Sequence, residues 1–193
     1  LNWFERMKSG ILTRIKRELP EGIWTSCKRC GETTYQAALE RNAWICPHCS
    51  NHLPIGYLKY VDLLADNDSF VEINANLRTA DPLKFRDHRR YGDRIREARK
   101  SASMNEAIST GVCTVGGQPV ALGVMDMRYL TATMGGATGE KISRLIDRAI
   151  DDRRSLVLVC QSGGARMQES TFSLMQMAKV SARLRRLSDK GLL

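Results

Sequence analysis

The chain has 193 residues, 42% of them apolar, with a formal net charge of +9 and a sequence pI near 9.5. That length holds one large domain, or a small one beside a medium one, and the apolar share excludes a disordered chain. No apolar run reaches the roughly 18 residues of a membrane span, and the opening residues lack a signal cleavage site, so a soluble, non-membrane protein of a reducing compartment is expected.

Residues 1–21 read as a short basic amphipathic helix closed by Pro20, with Arg6, Lys8, Arg14, Lys16 and Arg17 set against Glu5 over the first 17 positions. Such a surface attracts polyanions, although a basic helix face is more often simply solvated.

Residues 22–54 are turn-rich and carry Cys27-Lys-Arg-Cys30 and Cys46-Pro-His-Cys49, two pairs fifteen residues apart. The C-x2-C-x15-C-x2-C spacing is that of a zinc site, since each tight turn supplies two adjacent corners of a tetrahedron. Gly31 gives the first turn backbone freedom and Pro47 stiffens the second. Four thiolates close the shell, so the metal is expected to be structural, with His48 and His52 outside it. Two disulfides are the competing reading of the same cysteines. Lys28 and Arg29, with Trp24, Tyr35 and Trp44 nearby, suit a nucleic-acid strand or a miniature core with a solvated rim. The two lone cysteines, Cys113 and Cys160, lie in strand-like contexts and are expected to be buried thiols.

Residues 55–106 read as a helical connecting segment. Ile55, Leu58, Val61, Leu63 and Leu64 fall near helical spacing over 55–66, Phe70–Ile73 reads as a short strand, and residues 83–100 as a charged helix. Over 78–100 nine Lys/Arg stand against four Asp/Glu, a second basic patch. The domain boundary is expected between residues 54 and 70.

From 107 to 193 the order is strand, strand, helix, strand, helix, the rhythm of a layered α/β domain. Ala107–Val115 and Pro119–Met127 form a hairpin through Gly116-Gly117. A Gly/Thr-rich stretch over 131–139 precedes helices predicted at 140–152 and 167–189, with an apolar strand, Leu156–Cys160, between them. In the last helix Leu174, Met177, Ala178 and Leu184 make an apolar stripe, which suits core packing or a docking face.

Ser162-Gly163-Gly164-Ala-Arg166-Met-Gln-Glu169 then joins a strand to a helix. Glycine lets a ligand approach backbone N–H groups, an arrangement suited to a phosphate or a developing oxyanion, and equally found in an ordinary tight turn. No Walker lysine and no G-x-S-x-G frame accompany it. Asp126, Glu140, Asp147 and Glu169 form no visible pair, and all three histidines precede the α/β segment.

These features together resemble the beta-subunit family of bacterial and plastid acetyl-coenzyme A carboxylase carboxyltransferase. The matching residues are Pro20-Glu-Gly-Ile-Trp24, the four cysteines, Leu83-Lys-Phe-Arg-Asp87 with Tyr91, Ser162 through Glu169, and Ser173-Leu-Met-Gln-Met-Ala-Lys179. The resemblance implies a zinc ribbon followed by part of a crotonase-like ββα spiral. It implies carboxyl transfer from carboxybiotin, held on a separate carrier protein, to acetyl-CoA, giving malonyl-CoA for fatty-acid synthesis through an enolate in an oxyanion hole.

Carried over by position, Gly163 and Gly164 offer one backbone donor, Met134, Gly135 and Gly136 contact substrate, and Arg166 either anchors the acyl-CoA or carboxybiotin end or forms a structural ion pair. The implied partners are an alpha subunit in an alpha2beta2 assembly, the biotin carboxyl carrier protein and biotin carboxylase, in a bacterial cytoplasm or plastid stroma. Where the family usually reads M-G-G-S-M-G, this chain reads Leu130-Thr-Ala-Thr-Met134-Gly135. The family also continues beyond the position of Leu193, with a second glycine turn, so this chain alone is expected to be inactive. The alternative is a non-catalytic nucleic-acid-binding or assembly module on a crotonase scaffold.

Overall fold

The computed structural model describes residues 23–193; the basic helix expected over 1–21 lies outside the described residues. The chain divides into two compact units, one ending at Pro54 and one beginning at Ile55.

In the first unit β1 (Trp24–Ser26) pairs antiparallel with β2 (Thr33–Tyr35), placing Trp24 opposite Tyr35. Their rings meet edge-on at 5.6 Å, a favourable cross-strand aromatic pair. A short helix α1 (Gln36–Arg41) follows and buries Leu39. Besides Leu39, the buried apolar residues described in this unit are Cys27 and Cys46, so it has too small a core to hold itself together by burial.

The second unit is built on a four-stranded sheet in the order β3-β4-β5-β6. Its strands are β3 (Val71–Ile73), β4 (Ile108–Val115), β5 (Gln118–Met125) and β6 (Ser155–Val159). The first three pair antiparallel, and β6 lies parallel to β5. Gly116 and Gly117, at φ +56° and +77°, form the two-residue turn between β4 and β5. Two successive positive φ values match the twist of a hairpin, and glycine adopts them without a Cβ clash. The Asp66 carboxylate receives both turn N–H groups at 2.9 Å.

The parallel β5–β6 step needs a crossover, supplied by helix α4 (Gly136–Asp151). Its apolar face, Ile142, Leu145, Ile146 and Ala149, packs with Ile108, Ala121 and Met125. The alternate β5 residues, Val120, Leu122 and Val124, share the opposite face with Cys113 and with Val61 of α2 (Tyr57–Leu64). A strand buried on both sides explains the near-continuous apolar reading of β5. The start of α2 is pinned by Asp126, which accepts the Tyr57 N–H at 2.9 Å and is clasped by Arg128.

Several boundaries differ from the sequence expectation. The charged helix expected over 83–100 begins at Tyr91, as α3 (Tyr91–Ala102). Before it Asp81 caps the Phe85 N–H, Asp87 receives the Arg89 N–H, and Lys84 sits at φ +49°, so local carboxylate turns win over helix. Helix α4 starts at Gly136 rather than 140, because a distant carboxylate caps its first N–H. The last helix, α5 (Thr171–Asp189), is separated from a 3-10 turn at Met167–Glu169 by Ser170, at φ +51°. Cys160 is exposed, since β6 ends one residue earlier, whereas Cys113 is buried.

The stripe of Leu174, Met177, Ala178 and Leu184 turns outward. Val180 and Leu187 make the buried apolar contacts of α5 instead.

Candidate functional site

The ribbon site grows from two copies of one turn. The Cys27 carbonyl accepts the Gly31 N–H at 2.8 Å, and the Cys46 carbonyl accepts the Ser50 N–H at 2.9 Å. The Cys27 N–H reaches the Glu32 carbonyl and the Cys46 N–H reaches that of Asn51, again at matching offsets. Both turns close through a left-handed residue, Gly31 at φ +78° and Ser50 at φ +57°. Sequence reading found only the glycine, because serine carries no mark of that conformation.

The four thiol sulfurs lie within 4.8 Å of one another, and neither His48 nor His52 joins the group. Cys27 Sγ is 3.7 Å from Cys49 Sγ, and Cys30 Sγ is 3.7 Å from Cys46 Sγ. A zinc tetrahedron with Zn–S near 2.3 Å has edges of about 3.8 Å, while a disulfide needs about 2.05 Å. The donor set therefore fits zinc and excludes the disulfide reading. The backbone N–H groups of Cys30 and Arg29 draw the Cys27 thiol down to about 6, toward the thiolate form.

The second site lies where two loops are laced together. Gly163 N–H donates to the Thr131 carbonyl at 2.9 Å, Met134 N–H to the Gly164 carbonyl at 2.8 Å, and Arg166 N–H to the Met134 carbonyl at 2.8 Å. Met134 and Ala165 are parallel bridge partners. Of the two glycines expected to offer a donor, Gly163 has its N–H paired. Gly164 N–H meets only its own turn's Ser162 hydroxyl at 3.1 Å. Gly164 sits at φ +104°, and the position a Cβ would take there has no atom within 4 Å. Ser162 through Ala165 are all exposed. Ala165 N–H, turned away from Met134 by the parallel register, has no hydrogen-bond partner among the described residues.

Beneath this exposed edge lies a buried charge network. Arg166, expected at the substrate or in an ion pair, is 1% exposed. Its Nη2 reaches Glu106 Oε1 and the Thr133 carbonyl, both at 2.7 Å, and its Nη1 reaches Glu169 Oε1 at 3.0 Å and Thr79 Oγ1 at 2.8 Å. Of the two expectations for Arg166, the structural ion pair is the one these contacts form: its guanidinium is fully engaged by the protein and holds the loop. Burial opposes its charge, but Glu106 more than compensates and keeps it protonated.

Glu169 Oε2 receives the Gly136 N–H at 2.6 Å, capping α4, and its Oε1 receives the Tyr91 hydroxyl at 2.6 Å. Burial, with the Glu169 carboxylate beside it, keeps the Tyr91 phenol protonated. A Cβ at Gly135 would stand 2.6 Å from Arg166 Nη1 and 2.7 Å from Glu169 Oε1. Gly135 is thus required by the network below it, whatever approaches from above. Glu106, which escaped sequence reading, is an isolated carboxylate in the chain and meets Arg166 only through the fold.

Leu130, Thr131 and Ala132 have φ of +45°, +54° and +51°. Three consecutive left-handed non-glycine residues cost about 1–2 kcal/mol each. They are held by the laced loops, with Ser162 Oγ donating to the Ala132 carbonyl at 2.7 Å. The exposed N–H groups of Gly164 and Ala165, on a loop fixed this firmly from beneath, can stabilise an oxygen that gains negative charge.

Residues 58–192 match the carboxyl transferase domain family, and residues 24–49 match the acetyl-CoA carboxylase zinc finger domain. The acetyl-coenzyme A carboxylase carboxyl transferase subunit beta of Chlorobium limicola is 42% identical over 190 residues, covering 98% of this chain and 68% of its own. That of Prochlorococcus marinus strain MIT 9303 is 43% identical over 195 residues, covering 100% and 67%. The chain thus spans about two thirds of the length of these relatives.

Among solved structures, transcarboxylase 12S superposes with a TM-score of 0.59 at 23% identity, covering 70% of this chain and 24% of that one. The beta subunit of Pseudomonas aeruginosa geranyl-CoA carboxylase gives 0.53 at 16%, covering 79% and 24%. These two likenesses establish the fold.

Proposed function

The chain belongs to the family of acetyl-coenzyme A carboxylase carboxyl transferase beta subunits, and on that premise we propose that it binds acetyl-CoA at the Gly164 loop and takes part in its carboxylation to malonyl-CoA. The carboxyl group leaves the ring nitrogen of carboxybiotin, carried on a separate protein, and joins the acetyl methyl carbon. The methyl proton ends on the biotin nitrogen. The barrier lies in the enolate, whose oxygen needs N–H donors already in place.

In this reading Gly164 N–H, with Ala165 N–H beside it, faces the thioester oxygen. Arg166, Glu169 and Glu106 act as positioning residues: they fix the strand carrying those amides against the head of α4. Met134, Gly135 and Gly136 form the adjoining wall. Zinc pins the ribbon and takes no part in the chemistry. The single observation that carries the reading is the exposed, open-fronted Gly164 on a loop locked from below. It is supported by the surrounding titratable groups, Glu106, Glu169, Tyr91 and Arg166, which are all buried and mutually bonded. None is free to act as a base, which suits a proton that leaves with biotin.

The assembly is read as alpha2beta2 with an alpha subunit, served by biotin carboxyl carrier protein and biotin carboxylase in a bacterial cytoplasm or plastid stroma. The test is acetyl-CoA binding to this chain. Binding that weakens when Gly164 is replaced by valine supports the proposal. Binding of unchanged strength in a folded Gly164→Val variant contradicts it.

A further inference from the structure

Lys141, on the second turn of α4, is 2% exposed. Burying an ammonium is costly unless negative charge lies close by. Its Nζ stands 3.8 Å from Glu72 Oε1 of β3, a distance at which the two attract by charge without a hydrogen bond. The Glu72 side chain is more than a third exposed and accepts the Ser109 hydroxyl at 3.0 Å, so water screens its charge. The second carboxylate near Lys141 is Glu106. Lys141, Glu72 and Glu106 border one pocket of about 80 Å³.

The charges of the buried network balance only with this lysine. Glu106 and Glu169 set two negative charges against the single positive charge of Arg166, and all three residues are buried. Besides Arg166, Lys141 is the one buried cation among the described residues. Helix α4 also presents Thr138, three residues earlier and so on the same face, whose hydroxyl donates to Glu106 Oε1 at 3.0 Å. Glu106 in turn holds Arg166 Nη2 at 2.7 Å. The Arg166 N–H is bonded to the Met134 carbonyl, and the Met134 N–H to that of Gly164. Resting on the acetyl-CoA reading above, we propose that Lys141 is a positioning residue for the Gly164 loop: its positive charge keeps Glu106 ionised, and ionised Glu106 keeps Arg166 and the loop bonded to it in place.

A simpler role would be a staple between α4 and β3 through Glu72 alone. Glu72 is the more screened of the two carboxylates, whereas Glu106 is fully buried and its charge acts at full strength. Burial also pushes the Lys141 ammonium below the ordinary lysine value, and Glu72 and Glu106 only partly restore it. The charged form is present below the lowered value and is lost as pH rises through it, earlier than for an exposed lysine near 10.4. Tyr57, the remaining titratable residue on the pocket, has its phenol pushed up by burial and by Glu72, so it stays neutral as Lys141 loses its proton.

The test measures acetyl-CoA binding to this chain together with hydrogen exchange at the Gly163, Met134 and Arg166 amides, the N–H groups that lace the loops. Lys141→Met is expected to weaken binding about tenfold and to speed exchange at those three amides, with the β4–β5 amides unmoved. Lys141→Arg, for which the pocket leaves room, should keep both near the unmodified level. Glu72→Gln should do the same, since it leaves the Lys141 charge in place. Losses in Glu72→Gln equal to those in Lys141→Met would make the lysine a staple to β3 and overturn the proposal. Binding by the unmodified chain is expected to weaken before pH reaches the ordinary lysine value near 10.4, while binding by Lys141→Arg stays level. Parallel pH curves for these two overturn the assignment even if Lys141→Met does not fold. Absence of acetyl-CoA binding by the unmodified chain removes the reading beneath it, and exchange at the three amides then decides whether Lys141 holds the loop.

Discussion

Thr131 and Ala132 show how a single residue type reports on strain. The family pattern M-G-G-S-M-G, aligned on Met134-Gly135, puts glycine where this chain has these two residues. Here both occupy the left-handed region that glycine enters freely. Replacing Thr131 by glycine removes a β-branched side chain from that region, and the gain exceeds the extra chain entropy of glycine by about 1 kcal/mol. Thr131→Gly is therefore expected to raise Tm by about 2–4 °C in a thermal melt; a lowered Tm would show the side chain to be stabilising. Arg166 carries the opposite lesson. Its place in the motif suggested a ligand contact, but a guanidinium is equally suited to binding two carboxylates, and only burial decides between these roles. Sequence reading had no means of seeing Glu106, sixty positions away, arrive at 2.7 Å.

Elements were legible where their periodicity was strong. The β4–β5 hairpin follows from two strand-like runs flanking Gly116-Gly117, and α2 from Val61 and its neighbours. Helix starts were less legible, because their caps come from elsewhere in the chain. Glu169 caps α4 from thirty-three residues away, and Asp126 receives the first N–H of α2 from sixty-nine residues away. Burial alone would raise the Asp126 carboxyl, but Arg128 and the N–H groups of Tyr57 and Arg128 more than offset it, so its pKa lies below the ordinary range. The Asp66 carboxyl under the hairpin turn is likewise lowered, by Thr114, Gly117 and Gly116. A carboxylate whose folded pKa is depressed adds stability above its unfolded pKa, near 4, and loses it as pH falls through the lower folded value. Tm is thus expected to stay level between about pH 7 and pH 5 and to drop below about pH 4. Asp126→Asn should lower Tm at neutral pH and make the acid limb shallower. An acid limb of unchanged steepness would show that Asp126 is not among the groups that set it.

At the scale of the whole molecule, the two units owe their stability to different terms. The Ile55–Leu193 unit buries both faces of β5, whereas the unit ending at Pro54 depends on four sulfurs spaced for a zinc ion. Zinc contributes folding free energy directly when a domain this small lacks a core. Chelation is expected to unfold the ribbon, seen as loss of the Trp24–Tyr35 near-ultraviolet signal, while the helical far-ultraviolet signal of the larger unit persists. Loss of both signals together would mean the larger unit also needs the metal. Four cysteines at zinc spacing made the ribbon legible from sequence, because metal geometry constrains spacing more tightly than packing does.

Carboxyl transfer at this loop turns on the exposed amide of Gly164. Its most direct measurement is the initial rate of malonyl-CoA formation by the assembled enzyme carrying Gly164→Val, with Tm and zinc content recorded alongside. A side chain at φ +104° both strains the turn and covers the donor edge. The rate is expected to fall at least about a hundredfold, the cost of losing one oxyanion donor, in a variant that still assembles and binds zinc. A folded variant that retains the unmodified rate would show that the enolate oxygen is held somewhere else.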